Sequence, residues 1–527
     1  MKDLYPFVRQ LIRTNVSTID QLMQAKRNWS KRQGFPLPPN HTLLTGYRQL
    51  IDDGKIEKNA KLMELLRVRK VRTLSGVAVI TVLTKPYGCP GRCVYCPTEY
   101  RMPKSYVASE PAAQRALRNN FDPFTQVQSR IEALTRNGHP TDKIELIVLG
   151  GTWSAYPQDY QEWFIRRCYD GANGQESRSL EEAQKINETT DNRVIGLTLE
   201  TRPDWITPDE IALLRRYGVT RMQLGVQSTH DDILRLIKRG HTIQQVAEAT
   251  KLLKDAGFKI NYHLMPGLPG SSRQRDLESI QTVFNDERFK PDYFKLYPTV
   301  VMKNSELYHW WKKGTYQPYT EDDLLELIPE MKKLVPYWVR IERLIRDIPG
   351  TEITAGNKMT NLRQVLKKRG VVCKCIRCRE ARDQSVTEND VTLFVEEYQA
   401  SEGVEYFISY ENAERSALYA FVRLRLPKNV SPKILNRFPA LKNAAHVREL
   451  HTYGQLVPIL ESSNSPVNPS SIHPQHTGFG KRLMREAEKI AKKRQYRTLA
   501  VISGIGVREY YKKLGYEERD TYMVKGL

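Results

Sequence analysis

At 527 residues the chain is too long for one ordinary core, so two or three domains are expected. Lys and Arg number 82 against 60 Asp and Glu, a net +22 that favours a polyanionic partner. The opening "MKDLYPFVRQLIRTNVS" is charged and interrupted, unlike a signal peptide, and no apolar run reaches the roughly 18 residues of a membrane span; a soluble, cytoplasmic protein is expected.

Residues 1–75 read as helical, with Leu62, Leu65 and Leu66 at helical spacing in "EKNAKLMELLRVRK". They hold 15 basic and 6 acidic residues, net +9, densest at "RVRKVR" (67–72). An isolated basic run is as often a solvated helix face as a binding patch. From 76 to about 300, short β-branched runs alternate with longer helical stretches. The runs are "GVAVITVLTK" (76–85), "IELIVLGG" (144–151), "RVIGLTLETRP" (193–203), "RMQLGVQS" (221–228), "KINYHLMPGL" (259–268) and "YFKLYPT" (293–299). Several are apolar almost throughout, as strands covered on both faces are. Six strand–helix units predict an α/β fold, a partial parallel (β/α)6 barrel, whose chemistry belongs at the C-terminal strand ends. Those ends carry a cysteine loop, "GGTW", "ETRPD", "QS" and "PGLPG".

Residues 300–388 read as helical and aromatic-rich, then "VVCKCIRCREAR" brings a second group of thiols. From 389 the pattern turns to strands: "VTLFVEEYQ", "VEYFISYEN" and "ALYAFVRLRL". A turn-rich stretch (460–476), including "SSNSPVNPSS", precedes a helix, the strand "RTLAVISGIG", a helix "VREYYKKLGYEE" and a last strand "TYMVKGL". This is a second, α+β domain. The expected division is 1–75, a basic helical region; 76–345, the barrel; 346–388, a linker; and 389–527, the C-terminal domain.

The seven cysteines are clustered: three at 89–96, three at 373–378, and Cys168 alone, read as a small helix residue. Clustered thiols in a large unsecreted chain point to metal rather than disulfides. "GCPGRCVYCP" offers Cys89, Cys93 and Cys96, spaced three and then two apart. Half a disulfide framework, a zinc knuckle and an iron–sulfur cradle are all open to such a triplet. A structural zinc site is usually closed by four ligands, and no matching CxxC or HxxxH pair lies nearby. Three thiolates on a [4Fe–4S] cubane leave one iron open to substrate.

CxxxCxxC after a first barrel strand, with Tyr95 before the last cysteine, resembles the radical S-adenosylmethionine (SAM) enzymes. That resemblance implies that SAM chelates the open iron and yields a 5′-deoxyadenosyl radical. It also implies that Gly150, Gly151 and Thr152 hold the SAM amino group, with Thr152 standing where an acidic residue is usual. Glu200 is the candidate for the SAM ribose, against a plain salt-bridge role.

"QHTGFGKRLM" (475–484) is a Q-x-x-G-x-G run opening a helix, where free N–H groups and the dipole favour phosphate. It is neither a P-loop nor a Rossmann turn. With "ELHTYG" (449–454) and "REYYKKLGY" (508–516) it resembles the GNAT acetyltransferases. The resemblance implies acetyl-CoA contacts from Glu449, Leu450, His451, Thr452, Gln475, Gly478, Phe479, Gly480 and Lys481. It implies a tyrosine that protonates the departing CoA thiolate: Tyr511, with Tyr510 as the alternative and one of the two in the core.

A radical SAM barrel joined to a GNAT domain resembles the catalytic subunits of Elongator, in their prokaryotic tRNA uridine(34) acetyltransferase form. The supporting strings span the chain, from "YDGANG" and "GVQSTHDDIL" to "HLMPGLPG" and "CKCIRCREAR". The first cysteine gap is shorter than in many members and matches the ordinary radical SAM spacing. The resemblance implies a tRNA-modifying enzyme, an acyltransferase with radical SAM activity, that places a carboxymethyl group on C5 of wobble uridine 34. The radical would take a hydrogen from the acetyl methyl, the resulting carbon would add to C5, and thioester hydrolysis would follow. It further implies that Lys143 contacts acetyl-CoA and that an electron donor serves the cluster. Cys373, Cys375 and Cys378 are a candidate structural zinc site without an identifiable fourth ligand. A homodimer is a candidate assembly. The competing reading is a protein lysine acetyltransferase using the C-terminal domain alone.

Overall fold

The computed structural model describes residues 4–68, 73, 75–382, 390–454 and 478–527. Most of "RVRKVR", all of "SSNSPVNPSS" and Gln475 lie outside the described residues. The N-terminal region is four helices, Tyr5–Arg13, Ile19–Gln33, Asn40–Asp52 and Ala60–Leu66, around a core of its own that includes Phe7, Leu44 and Tyr47. Thr18 and Gln21 form a capping box that starts the second helix. Arg67 Nε donates to Gly138 O at 3.0 Å and ties the region to the barrel.

β1 (Ala78–Leu83), β2 (Lys143–Leu149), β3 (Arg193–Thr201), β4 (Arg221–Gln227), β5 (Lys259–Leu264) and β6 (Tyr293–Leu296) pair in chain order, all parallel. β2 shows why: Ile144, Leu146 and Val148 are buried under helices, while Lys143, Glu145, Ile147 and Leu149 are half-buried along the lumen. A short ribbon, β7 (Val301–Met302) with β9 (Ile353–Ala355), stands apart from the sheet. β8 (Arg340–Arg343) adds a seventh parallel strand beside β6. The sequence reading had only helices there, because three of its four residues are charged and no apolar run announces it. β1 and β8 do not pair, so the barrel is open on one side.

The second sheet begins as an antiparallel meander, β10 (Thr392–Ala400), β11 (Gly403–Glu411), β12 (Leu418–Pro427) and β13 (Ala444–Thr452). β13 then pairs in parallel with β14 (Thr498–Val501). β15 (Glu517–Arg519) and β16 (Tyr522–Gly526) close the edge. The helix expected over 507–518 is only Arg508–Lys512: Gly515, at φ +84°, turns the chain and frees Glu517–Arg519 to pair as a strand. The β13–β14 ladder ends at Val447 and Val501, but β13 runs on to Thr452. The two strands therefore part, and the helix Phe479–Lys493 packs across β12 and β13 through Leu483, Met484 and Ala487.

The C-terminal sheet docks under the barrel, at the N-terminal ends of its strands. Arg448 Nη1 donates to Asp292 Oδ2 at 2.8 Å, beside β6, and Arg425 Nη2 donates to Asp255 Oδ1 at 2.8 Å. Glu405 joins the cluster from β11, 2.9 Å from Arg448 and 3.1 Å from Arg425, with all these side chains 0% exposed. Gly504 lies so close to β3 that a Cβ there would sit 2.1 Å from Ile195 O. The segment 346–382 is not a loose spacer: Leu362, Leu366, Cys373 and Cys375 belong to the barrel's own core.

Candidate active site

The loop after β1 places Cys89, Cys93 and Cys96 on the upper rim of the barrel, lining a cavity of about 550 Å3. Arg239, from the turn after the short helix Asp231–Leu236 that follows β4, donates to Cys93 Sγ at 3.6 Å and is itself anchored on Gly225 O at 2.6 Å. A hydrogen bond with Cys96 and the charge of Arg239 hold the Cys93 thiol down, to about 5, against the opposing effect of burial. Cys96 is pushed up by the same bond and by burial. Cys89 Sγ lies 3.6 Å from Thr152 Oγ1. Gly91 leaves space for Arg202, since a Cβ would be 2.9 Å from its Nη1.

The Gly-Gly turn after β2 faces this rim. Gly150 has φ +153°, and a Cβ there would overlap Thr84 Oγ1 at 1.8 Å. Both amides turn inward: Gly150 N and Gly151 N donate to Glu200 Oε1 at 3.2 and 3.0 Å, and Tyr106 OH donates to the same oxygen at 2.6 Å. Glu200 lines the cavity, and its Oε1 gathers these three donors; it makes no salt bridge among the described residues. Gln227 ends β4 with φ +72°, a left-handed conformation unusual for a residue with a side chain, and its buried Oε1 has no partner among the described residues.

A second cavity, about 1630 Å3, lies below, between the lumen and the C-terminal sheet. Leu450, His451 and Thr452 line it from the parted end of β13, and Gly478, Gly480 and Lys481 line it from the helix N-terminus. Basic side chains outnumber acidic ones along its walls. Gly478 is the N-cap, at φ +73°. Gly480 is small for a reason: a Cβ would meet Tyr510 OH at 2.9 Å. Phe479 turns away into the core and stacks on Tyr410 at 4.9 Å. Tyr510 and Tyr511 both reach the cavity, but Tyr511 is buried in the C-terminal core against Tyr516. Burial pushes the Tyr510 hydroxyl up to about 12 and Tyr511 further.

Glu449 is spent on docking: Arg423 Nε donates to its Oε2 at 2.8 Å and Tyr293 OH to its Oε1. His451 Nε2 meets Ser75 O at 2.9 Å. Lys143 stands on the lower lumen wall, where burial lowers its pKa.

The two cysteine triplets differ in span. The thiols of Cys373, Cys375 and Cys378 all lie within 4.8 Å of one another, the only such group of three or more potential ligands among the described residues. One tetrahedral zinc, with Zn–S near 2.3 Å, spaces its sulfurs by about 3.8 Å, so this set fits a single ion. Cys89, Cys93 and Cys96 do not meet that criterion. Their spread, with an open cavity before them, fits a group larger than one ion.

The sequence reading missed Arg239, Arg202, Gln227 and Tyr106. The rim position of "QS" pointed toward Gln227; nothing local marked Arg239, which is twelve residues further on.

A parallel half-barrel with this rim defines a radical SAM enzyme. Residues 83–283 match the model of the radical SAM superfamily, and residues 291–370 match that of the radical SAM C-terminal domain. The tRNA uridine(34) acetyltransferase of Methanocaldococcus jannaschii is 45% identical over 488 residues, covering 89% of this chain and 88% of its own. Human Elongator complex protein 3 is 40% identical over 487 residues, covering 88% and 87%. The solved structure of the Methanocaldococcus infernus Elp3, with its N-terminus deleted, superposes with a TM-score of 0.73 at 41% identity, covering 86% of this chain and all of that one. The chain belongs to the Elongator complex protein 3 family, which includes the tRNA uridine(34) acetyltransferases.

Proposed function

We propose that the protein uses SAM and acetyl-CoA to place a carboxymethyl group on C5 of uridine 34 of tRNA. The carrying observation is that the thiol-rimmed cavity and the parted-strand cavity adjoin within one barrel. C5 of uridine is no amine or hydroxyl nucleophile, so an acetyltransferase fold alone could not acylate it. A [4Fe–4S] cluster on Cys89, Cys93 and Cys96, with SAM bound, supplies the radical that such a carbon needs.

The chain's own groups divide the remaining work. Carbonyl oxygens of the Gly150–Gly151 turn can receive the SAM amino group, because its amides are committed to Glu200. Thr152 holds Cys89, and Arg239 offers its charge to a carboxylate beside Cys93. The N-terminus of the helix from Phe479, with Gly478, Gly480 and Lys481, suits the CoA phosphates, and Gln475 belongs to the same loop. The parted backbone at Leu450–Thr452 suits pantetheine. Tyr510, at the helix N-terminus, is better placed than Tyr511 to protonate the CoA thiolate. Lys143 would contact acetyl-CoA from the lumen. Glu449 lines the cavity with its side chain held by Arg423 and Tyr293, and its backbone would join Leu450–Thr452 in meeting pantetheine.

Cys373, Cys375 and Cys378 would hold a structural zinc. The basic N-terminal helices would meet tRNA phosphates, which makes binding salt-sensitive. The cluster requires an electron donor. No helix among the described residues is long and apolar enough to cross a membrane, and the proposed setting is the cytoplasm.

The test is anaerobic reconstitution with tRNA, SAM, reductant and acetyl-CoA labelled in its acetyl group. Label on uridine C5 supports the reading. Label confined to protein lysines, or tRNA labelling undiminished in Cys93→Ser, overturns it.

A further inference from the structure

Four residues line both cavities: Val79 on β1, Ile147 on β2, Glu342 on β8 and Arg377 in the linker. They form a waist in the lumen, on the side where β1 and β8 leave the barrel open. Val79 and Ile147 give the waist an aliphatic wall; Val79 is 38% exposed although it lies inside a strand. Glu342 is fully engaged. Asn261 Nδ2 donates to it at 2.8 Å, and Lys295 and Arg221 stand 3.3 and 3.4 Å away.

Arg377 is not. Its Nε is buried and has no hydrogen-bond partner among the described residues. The carboxylate nearest in sequence, Glu380, is paired with Arg340 at 2.7 Å and Arg382 at 3.2 Å. The Arg377 side chain lines both cavities, so its guanidinium is within reach of a ligand carbonyl there. The waist thus brings a guanidinium and an aliphatic wall together around one passage. That is the complement of a small group with a carbonyl oxygen at one end and a methyl at the other.

Space points the same way. About 550 Å3 suits one nucleoside-sized ligand above the waist, not that ligand together with an acyl carrier. The helix N-terminus and parted strand that suit CoA lie below it. From Lys143 at the lower mouth to Ile147 is four residues of parallel strand, about 13 Å.

We propose that the acetyl group of acetyl-CoA is held at this waist, its carbonyl oxygen accepting from Arg377 and its methyl against Val79 and Ile147, facing the thiol-rimmed cavity. This rests on the reading of the lower cavity as an acetyl-CoA site. Val79 and Ile147 are then positioning residues that keep water from the methyl, and Arg377 discriminates acetyl-CoA from free CoA.

The test needs neither iron nor turnover. A V79C variant is incubated with chloroacetyl-CoA, after iodoacetamide on a separate sample has shown the introduced thiol to be reactive. Its thiolate would displace chloride from the methylene carbon: a C–S bond forms, the C–Cl bond breaks, and the thiol proton goes to buffer. Peptide mass spectrometry separates this adduct from alkylation at Cys373 or Cys378, which line the same cavity.

The expected result is labelling at least tenfold faster than by chloroacetamide at equal concentration, blocked by acetyl-CoA. Adding R377Q should slow it several-fold while free CoA binds as before, and R377K should restore part of the rate. Saturable acetyl-CoA binding without labelling of a reactive V79C thiol overturns the inference alone. So does labelling indifferent to R377Q, or protection of that thiol from iodoacetamide by tRNA and not by acetyl-CoA. A parent protein that binds no acetyl-CoA overturns the inference and the proposed function together.

Discussion

The two cysteine triplets hold the same number of thiols and do opposite things with them. Cys89, Cys93 and Cys96 sit in a loop held by turns, spread along an open cavity, with Arg239 bonded to one sulfur. Cys373, Cys375 and Cys378 converge within 4.8 Å, and the first two are packed into the barrel's core. The first arrangement keeps a face open for a reactant. The second is compact enough to fit one small ion, and it sits in a segment packed into the barrel's core. Spacing alone did not separate the two; span and surroundings do.

The sharpest way to break the comparison is to exchange one sulfur on each side. Cys93→Ser should remove iron and abolish tRNA modification to background while zinc content stays at one per chain, read by metal analysis of the same sample. Tyr510→Phe should lower turnover by roughly 10²-fold or more with iron and zinc both retained, and Tyr511→Phe should instead lower thermal stability more than turnover. Equal kinetic losses in both would return Tyr511 to candidacy.

Asp292→Ala removes one of Arg448's two buried carboxylate partners, leaving only Glu405, and should cost about 3–5 kcal/mol in denaturant unfolding. Cys375→Ser should release the zinc and lower the unfolding temperature by several degrees, leaving the iron bound; loss of both metals would mean that the triplets are not independent.

The smallest expected effect is a pH dependence at the docking interface. Burial works against the charge of Glu449, but Lys259 and Arg423 prevail and hold its carboxyl at about 2, below its ordinary 4.5. Its contribution is therefore complete above about 4.5 and is lost as pH falls from there toward 2. Glu449→Gln should flatten that segment of the acid-unfolding curve and leave the neutral range parallel to the parent.

Much of this was legible in the chain. The six runs became six parallel strands: coverage by neighbours writes itself as near-continuous hydrophobicity in β1, AVITVL, while β4, RMQLGVQ, buries polar residues too. The CxxxCxxC loop and the glycines at 478 and 480 were legible because backbone turns demand particular residues locally. β8 was hidden because it earns its place through pairing, not hydrophobicity. Arg239 and Gln227 matter only through what the fold brings beside them. The choice between Tyr510 and Tyr511 needed the direction of each side chain on one short helix. That Arg423 and Tyr293 hold the Glu449 side chain could be seen only in the fold.

The charged seam joining the two halves has a practical consequence for anyone dissecting the protein. Asp255 and Asp292 belong to the barrel, and Arg423, Arg425 and Arg448 to the C-terminal sheet; none is more than 1% exposed. Cutting the chain between the halves would leave three arginines with only Glu405 and Glu449 on one fragment and deprive Asp255 and Asp292 of their arginines on the other. Neither half is a transplantable cassette, and an isolated acetyltransferase fragment would be a poor surrogate for assaying what the intact polypeptide acylates.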